Sequence, residues 1–179
     1  MSSAKKTGHA DPGWLDMRIE PQWEAVKSAW DPCRAALARA GLTDDETYQL
    51  AMVAQELLEN AVKYGSFGNG ERILLGVRAA DEDVVVEVKS RVGVDEAHLR
   101  RFDRTIQWIR GFQDPFEAYV ERMKIVSAQP YAHGESGLGL TRIAYEGRSI
   151  IDFYVDQDDV LAVSAVYRRD APGAIWRTP

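Results

Sequence analysis

The sequence predicts an α+β domain, a two-layer sandwich in which helices cover one face of a mixed, mainly antiparallel sheet. Three observations carry that expectation. Apolar stretches with the strand period of two come in pairs separated by short polar connections, which is the pattern of hairpins. Helical stretches come in runs and do not alternate with strands. The chain of 179 residues, 45% hydrophobic and 28% charged, supplies one core and leaves two domains cramped.

Residues 1–13 are small, polar or helix-breaking and are expected to form a disordered tail. Trp14 to Glu20 alternates apolar with polar as a half-buried strand does, and Pro21 stops it. From about Gln22 to Ala40 the period becomes helical, with Gly41 as the stop. Thr43 or Asp44 caps a longer amphipathic helix that runs to Gly65. Ile73 to Arg78 and Val84 to Lys89 read as neighbouring strands joined by a connection of hairpin length. Asp95 to Ser127 is helical again, broken near Gly111 and Pro115, with Phe102, Ile106, Ile109, Phe116, Tyr119 and Met123 on repeating faces. Ile150 to Val155 and Val160 to Tyr167 make a closing hairpin around Asp156 to Asp159. Residues 170–179 form a second tail, so the expected domain spans 14–169, with 94–134 as a helical lid or insertion.

The formal charge of -6 argues against direct nucleic-acid binding, which needs a concentrated basic surface. No apolar run approaches the ~20 residues that span a bilayer, and the opening residues lack the apolar centre of a signal peptide. Cys33 is the single cysteine, which excludes an intramolecular disulfide and favours a cytoplasmic location.

Two short segments far apart carry the chemistry. On the long helix, Leu50, Val53, Ala54, Leu57, Ala61 and Tyr64 gather on one side as the core face, and Glu56 and Asn60 stand one turn apart at its rim. An acid beside an amide oxygen suits proton transfer and metal ligation, and asparagine is a poor interior helix residue that asks for such a role. The plainer reading makes them helix-edge polar groups bonded to each other or to water. Glu59 and Lys63, with the same spacing on the far side, read as a solvated ion pair. The second segment runs from Gly134 to Leu140. Gly137 and Gly139 flank Leu138 just before an apolar helical stretch, so the chain turns tightly and opens a helix whose free amides welcome an anion. The plainer reading is a loop in which Ser136 caps a structural helix. A hydrolase elbow around Ser136 fails because Leu138 occupies its last glycine position. A dinucleotide fingerprint fails because Arg142 replaces its third glycine, and His9, His98, His133 and Cys33 are too scattered for zinc.

Taken in order, E-x-x-x-N-A at Glu56 to Ala61, the strand pair, and Gly137-Leu138-Gly139-Leu140 followed by Ile143 resemble the GHKL (Bergerat) ATPase superfamily. Within it the layout from about Leu15 to Arg168 is most similar to the anti-sigma-factor serine kinases of bacterial partner-switching systems. The resemblance implies a histidine-kinase-like ATPase fold that binds ATP and Mg²⁺. It implies Glu56 as the catalytic base or orienting group, Asn60 as the residue holding the metal against the nucleotide, and Ser136, Gly137, Leu138, Gly139 and Leu140 wrapped around the phosphates. Lys63 and Tyr64 would line the mouth at most. The implied partner is a protein, a sigma factor or an anti-sigma antagonist-like protein, with no membrane contact and with a homodimer left open.

Two departures from the family stand out. Its D-x-G-x-G stretch is replaced here by Ser90-Arg91-Val92-Gly93-Val94, with Ser90 at the adenine-recognising aspartate and Val92 in place of a glycine. An unpaired buried group costs roughly 1 to 3 kcal/mol, so this change weakens adenine recognition. The helical stretch 94–134 is also longer than the lid of the compact anti-sigma kinases, and its aromatics, Trp108 and Phe112 among them, read as an extra packing layer or a partner groove. A complete sensor histidine kinase is not expected, because little sequence precedes Glu56. The rival to a kinase is a non-catalytic pseudokinase module that has lost ATP binding.

Overall fold

The computed structural model describes residues 14–80, 82–93, 96–128 and 137–169. Both expected tails, both ends of the 94–134 stretch and Ser136 lie outside the described residues. Five strands, β1 (Trp14–Ile19), β2 (Ile73–Ala79), β3 (Asp83–Arg91), β4 (Ser149–Val155) and β5 (Val160–Arg168), form one sheet in the order β1-β2-β3-β5-β4. Every neighbouring pair is antiparallel, so the sheet is purely antiparallel where a mixed one had been allowed. Both expected hairpins form, with Leu75 opposite Val88 in one and Ile151 opposite Ala165 in the other.

Alternation decides which face is covered. Ile73, Leu75 and Val77 of β2, Val84, Val86 and Val88 of β3, and Leu161, Val163 and Ala165 of β5 are buried on the helix side. The opposite side carries charge, with Glu87 between Arg78 at 3.6 Å and Lys89 at 3.2 Å.

Six helices are described: α1 (Trp23–Ser28), α2 (Trp30–Arg39), α3 (Asp44–Tyr64), α4 (Glu96–Arg110), α5 (Pro115–Ala128) and α6 (Gly139–Tyr145). The single helix expected from Gln22 to Ala40 is two. Pro32 has no N–H to offer the Ser28 carbonyl one turn back and its ring crowds that carbonyl, so the chain tightens at Ala29, whose N–H bonds Val26 at 3.1 Å. Proline is tolerated at Pro32 because it falls in the first turn of α2.

Helix α3 is the spine of the helical layer. Thr43 caps it through a reciprocal pair: its N–H donates to the Glu46 carboxylate at 2.8 Å, and the Glu46 N–H donates to its hydroxyl at 3.3 Å. Leu50, Val53, Ala54, Leu57 and Ala61 are buried as expected. Tyr64 ends that face, 36% exposed but lining a slot between α3 and the sheet together with Leu57 and Ala61. Thr47, Ala51, Met52 and Leu58 are buried as well, and α2 packs beside α3 while also touching β1 and β2.

Helix α4 closes the other end of the layer. Phe102 and Ile106 join the main core, Phe102 meets Phe153 edge to face at 5.2 Å, and the Arg110 guanidinium donates to the Ile151 carbonyl at 2.7 Å. A smaller cluster of Ile109, Ala118 and Ala144 joins α4, α5 and α6, with Trp108 and Phe112 packed against it. Phe116 stays 46% exposed. Burial pushes the Cys33 thiol up to about 12, so this cysteine is an inert core residue.

Candidate functional site

Burial of Leu57 and Ala61 fixes the rotation of α3 and leaves Glu56 and Asn60 half-buried on its flank. The last turns of α3 point this flank toward the start of α6. There Gly137 has φ +59, a left-handed conformation that favours glycine, and its carbonyl accepts a hydrogen bond from Arg122 Nε of α5 at 2.9 Å. Thr141 donates back to the Leu138 carbonyl at 2.8 Å, and buried Ile143 and Ala144 lock α6 onto the core.

The two segments meet at Gly139. A Cβ placed on Gly139 would lie 2.6 Å from Glu56 Oε2 and 3.9 Å from the Asn60 amide nitrogen. Only a residue without a side chain permits that approach. Glu56, Asn60, Gly137, Gly139 and Leu140 accordingly line one solvent-open cleft, together with Lys63 and Tyr64. Leu138 does not line it, and its carbonyl is taken by Thr141 and by the Arg142 amide.

Three cations surround this cleft: Lys63, Arg101 and Arg122. Against a chain of net charge -6, the local balance is reversed, which suits an anionic ligand. Arg101 and Arg122 come from α4 and α5, and sequence reasoning did not connect them to the site. Lys63 also lies 3.8 Å from Glu59 and 5.7 Å from the centre of the Trp23 ring, so this pair is half-buried rather than fully solvated.

The expected acid has a partner. Arg142 Nη1 donates to Glu56 Oε1 at 2.5 Å, and Arg142 Nη2 contacts Glu146 at 3.1 Å. Burial raises the Glu56 carboxyl above the ordinary carboxylate range, an effect that the Arg142 charge opposes and that Glu59 reinforces. One oxygen of Glu56 is thus held, while Oε2 faces Gly139.

Beside the cleft lies a narrower slot between α3 and the sheet, walled by Leu57, Val88, Val92, Leu161 and Val163 with Ser90 among them. Asn60, Tyr64, His98 and Phe102 border both spaces. Tyr64 and His98 stack at this junction, ring centres 4.3 Å apart and planes 25° from parallel.

Among the described residues no group of three or more histidine, cysteine, aspartate or glutamate side chains is placed to hold a metal ion. Magnesium characteristically takes one or two protein oxygens and completes its shell with water and substrate phosphates. The Asn60 amide, at the cleft and with no hydrogen bond among the described residues, fits that pattern.

No helix among the described residues is long and apolar enough to cross a membrane. Neither a protein-family model nor a curated protein matches the sequence. Among solved structures, a chain of the SiaB-SiaC complex from Pseudomonas aeruginosa has the same fold, with a TM-score of 0.66 and 17% identity over 86% of this chain and 88% of that one. At that identity the likeness establishes the fold alone.

Proposed function

We propose that this chain is a cytoplasmic signalling regulator of the partner-switching type, built on a GHKL ATPase domain that binds Mg-ATP and phosphorylates a serine or threonine of a protein partner. The observation that carries the reading is the contact at Gly139, where the turn expected to wrap phosphates abuts the acid and the amide expected to work on them. A slot with apolar walls opening into a cationic cleft also matches the two ends of a nucleotide, a flat base and a charged tail.

Each side chain then has a defined task. Arg122, Arg101 and Lys63 attract the phosphates, and the Asn60 oxygen would hold a magnesium ion, which would neutralise phosphate charge during transfer. Glu56, held at Oε1 by Arg142, presents Oε2 as the acceptor for the proton of the attacking hydroxyl. The γ-phosphoryl passes to the oxygen of the partner's serine or threonine hydroxyl as its bond to the bridging β–γ oxygen breaks, and ADP leaves. A carboxyl raised by burial is a stronger base than a solvated one, which suits this role. The partner is a protein of the sigma-factor or anti-sigma antagonist type. The fold neighbour comes from a two-protein complex, which is in keeping with such a partner.

A second reading has its own observation. Ser90 in the slot replaces the family's aspartate, and a module that has lost ATP binding would bind its partner through the same scaffold. Thermal melts with and without Mg-ATP separate the two, since a ligand at ~100 times its dissociation constant stabilises the fold by about 2.7 kcal/mol. An upward shift that Asn60→Ala abolishes supports the kinase reading. An unshifted melt at millimolar nucleotide supports the module.

A further inference from the structure

The slot beside the cleft yields a selectivity rule that rests on the nucleotide reading above. Its strand side consists of Val88, Val92, Leu161 and Val163 around a single polar side chain, Ser90. Ser90 is 5% exposed, and among the described residues its hydroxyl makes no hydrogen bond. The fully buried side-chain polar atoms left unpaired among the described residues are Arg34 Nε and Arg169 Nε, so the Ser90 hydroxyl reaches the open space of the slot, where a ligand can bond it.

The chemistry of that hydroxyl defines what it recognises. It has one hydrogen to donate and two lone pairs to accept with, and it rotates to suit. A carboxylate at the same place would only accept. Position six of a purine carries an amino group in adenine and a carbonyl oxygen in guanine, and a serine hydroxyl meets either. We propose that Ser90 makes this a purine nucleoside triphosphate site that does not discriminate adenine from guanine. The slot and the cleft share Asn60, Tyr64, His98 and Phe102, so one molecule spans both, and the Tyr64–His98 pair at the junction offers the base a stacking face. The other polar side chains of the slot, Asn60, Tyr64 and His98, are shared with the cleft, which leaves Ser90 as the one polar side chain that lines the slot alone.

The test is calorimetric titration of the full chain with Mg-ATP and with Mg-GTP, repeated on Ser90→Ala and Ser90→Asp, with folding checked by circular dichroism. The wild type is expected to bind the two nucleotides within about threefold of each other. Ser90→Ala weakens both by a similar factor, and Ser90→Asp, which only accepts, favours ATP by about tenfold or more. If Ser90→Asp does not fold, the wild-type ratio and Ser90→Ala decide. A wild type that prefers one purine by more than about thirtyfold, or a Ser90→Ala variant that binds both unchanged, overturns this proposal and leaves the nucleotide reading standing. A wild type that binds neither overturns both.

Discussion

Arg142 and Glu56, 86 positions apart in the chain, form the shortest link between the α6 turn and α3, at 2.5 Å between Nη1 and Oε1. The guanidinium stands where it sets both the charge and the direction of the expected catalytic carboxyl, with Glu146 as its second partner.

Removing Arg142 leaves Glu56, whose side chain is 15% exposed, without its compensating charge. The Glu56 carboxyl, raised by burial despite Arg142, then rises further. A raised carboxyl contributes stability that is fully present below its unfolded value and is lost as pH rises through its folded value. Arg142→Ala should therefore lose most at neutral pH and least in acid. The neutral loss should be about 1–2 kcal/mol, below that of a fully buried pair because Arg142 is 36% exposed. Urea melts at about pH 4 and about pH 7 measure this, and Glu56→Gln in the Arg142→Ala background should flatten the difference.

Two glycines should respond differently to alanine. At Gly139 the new methyl meets the tip of the Glu56 side chain, which swings aside at a cost under about 1 kcal/mol but leaves its working position. At Gly147 it meets buried Val53 and the Ile143 carbonyl, where nothing yields, and the cost should reach about 2 kcal/mol or more. Thermal melts rank the two, and equal costs would contradict the geometry at Gly139.

Arg122→Ala removes the hydrogen bond that holds Gly137 in its left-handed turn. Hydrogen exchange at Leu138 and Gly139 should quicken by about tenfold, while global stability changes by under ~0.5 kcal/mol. Nucleotide affinity should fall in parallel. Exchange unchanged from wild type would show that Arg122 does not position the turn.

Far from the cleft, buried Tyr167 donates to Glu46 at 2.8 Å. Burial tends to raise the Glu46 carboxyl, but hydrogen bonds from Thr43 and Tyr167 and the charge of Arg169 outweigh it and hold the group below its ordinary value. A lowered carboxyl contributes stability that is present above its unfolded value and is lost as pH falls through its folded value. Tyr167→Phe should cost about 1 kcal/mol at neutral pH and less in acid, and pH-dependent urea melts would register the convergence.

The hairpins and the long helix were legible in the sequence because their periods are local and glycine, proline and aspartate bound them. The break at Ala29 was legible in principle from Pro32, whose effect falls one turn upstream where no unusual residue marks it. Strand order was not legible, because the pairing of β1 with β2 spans the whole α1–α3 run. Glu56, Asn60 and the glycines were singled out by the family resemblance of their two segments, since spacing alone left a polar helix edge and a loop. Arg142 entered only as the residue that spoils a dinucleotide fingerprint, and Arg122 not at all, since their roles arise from contacts between elements remote in sequence.

The central claim is that Glu56, Asn60 and the Gly137–Gly139 turn form one Mg-nucleotide cleft. Isothermal titration of wild type and Asn60→Ala with ATP, with and without magnesium, tests it most directly. The account predicts saturable, magnesium-dependent heat in the wild type, and affinity at least about tenfold weaker in Asn60→Ala. Heat that is indifferent to magnesium and to Asn60, or none at millimolar ATP, would contradict it.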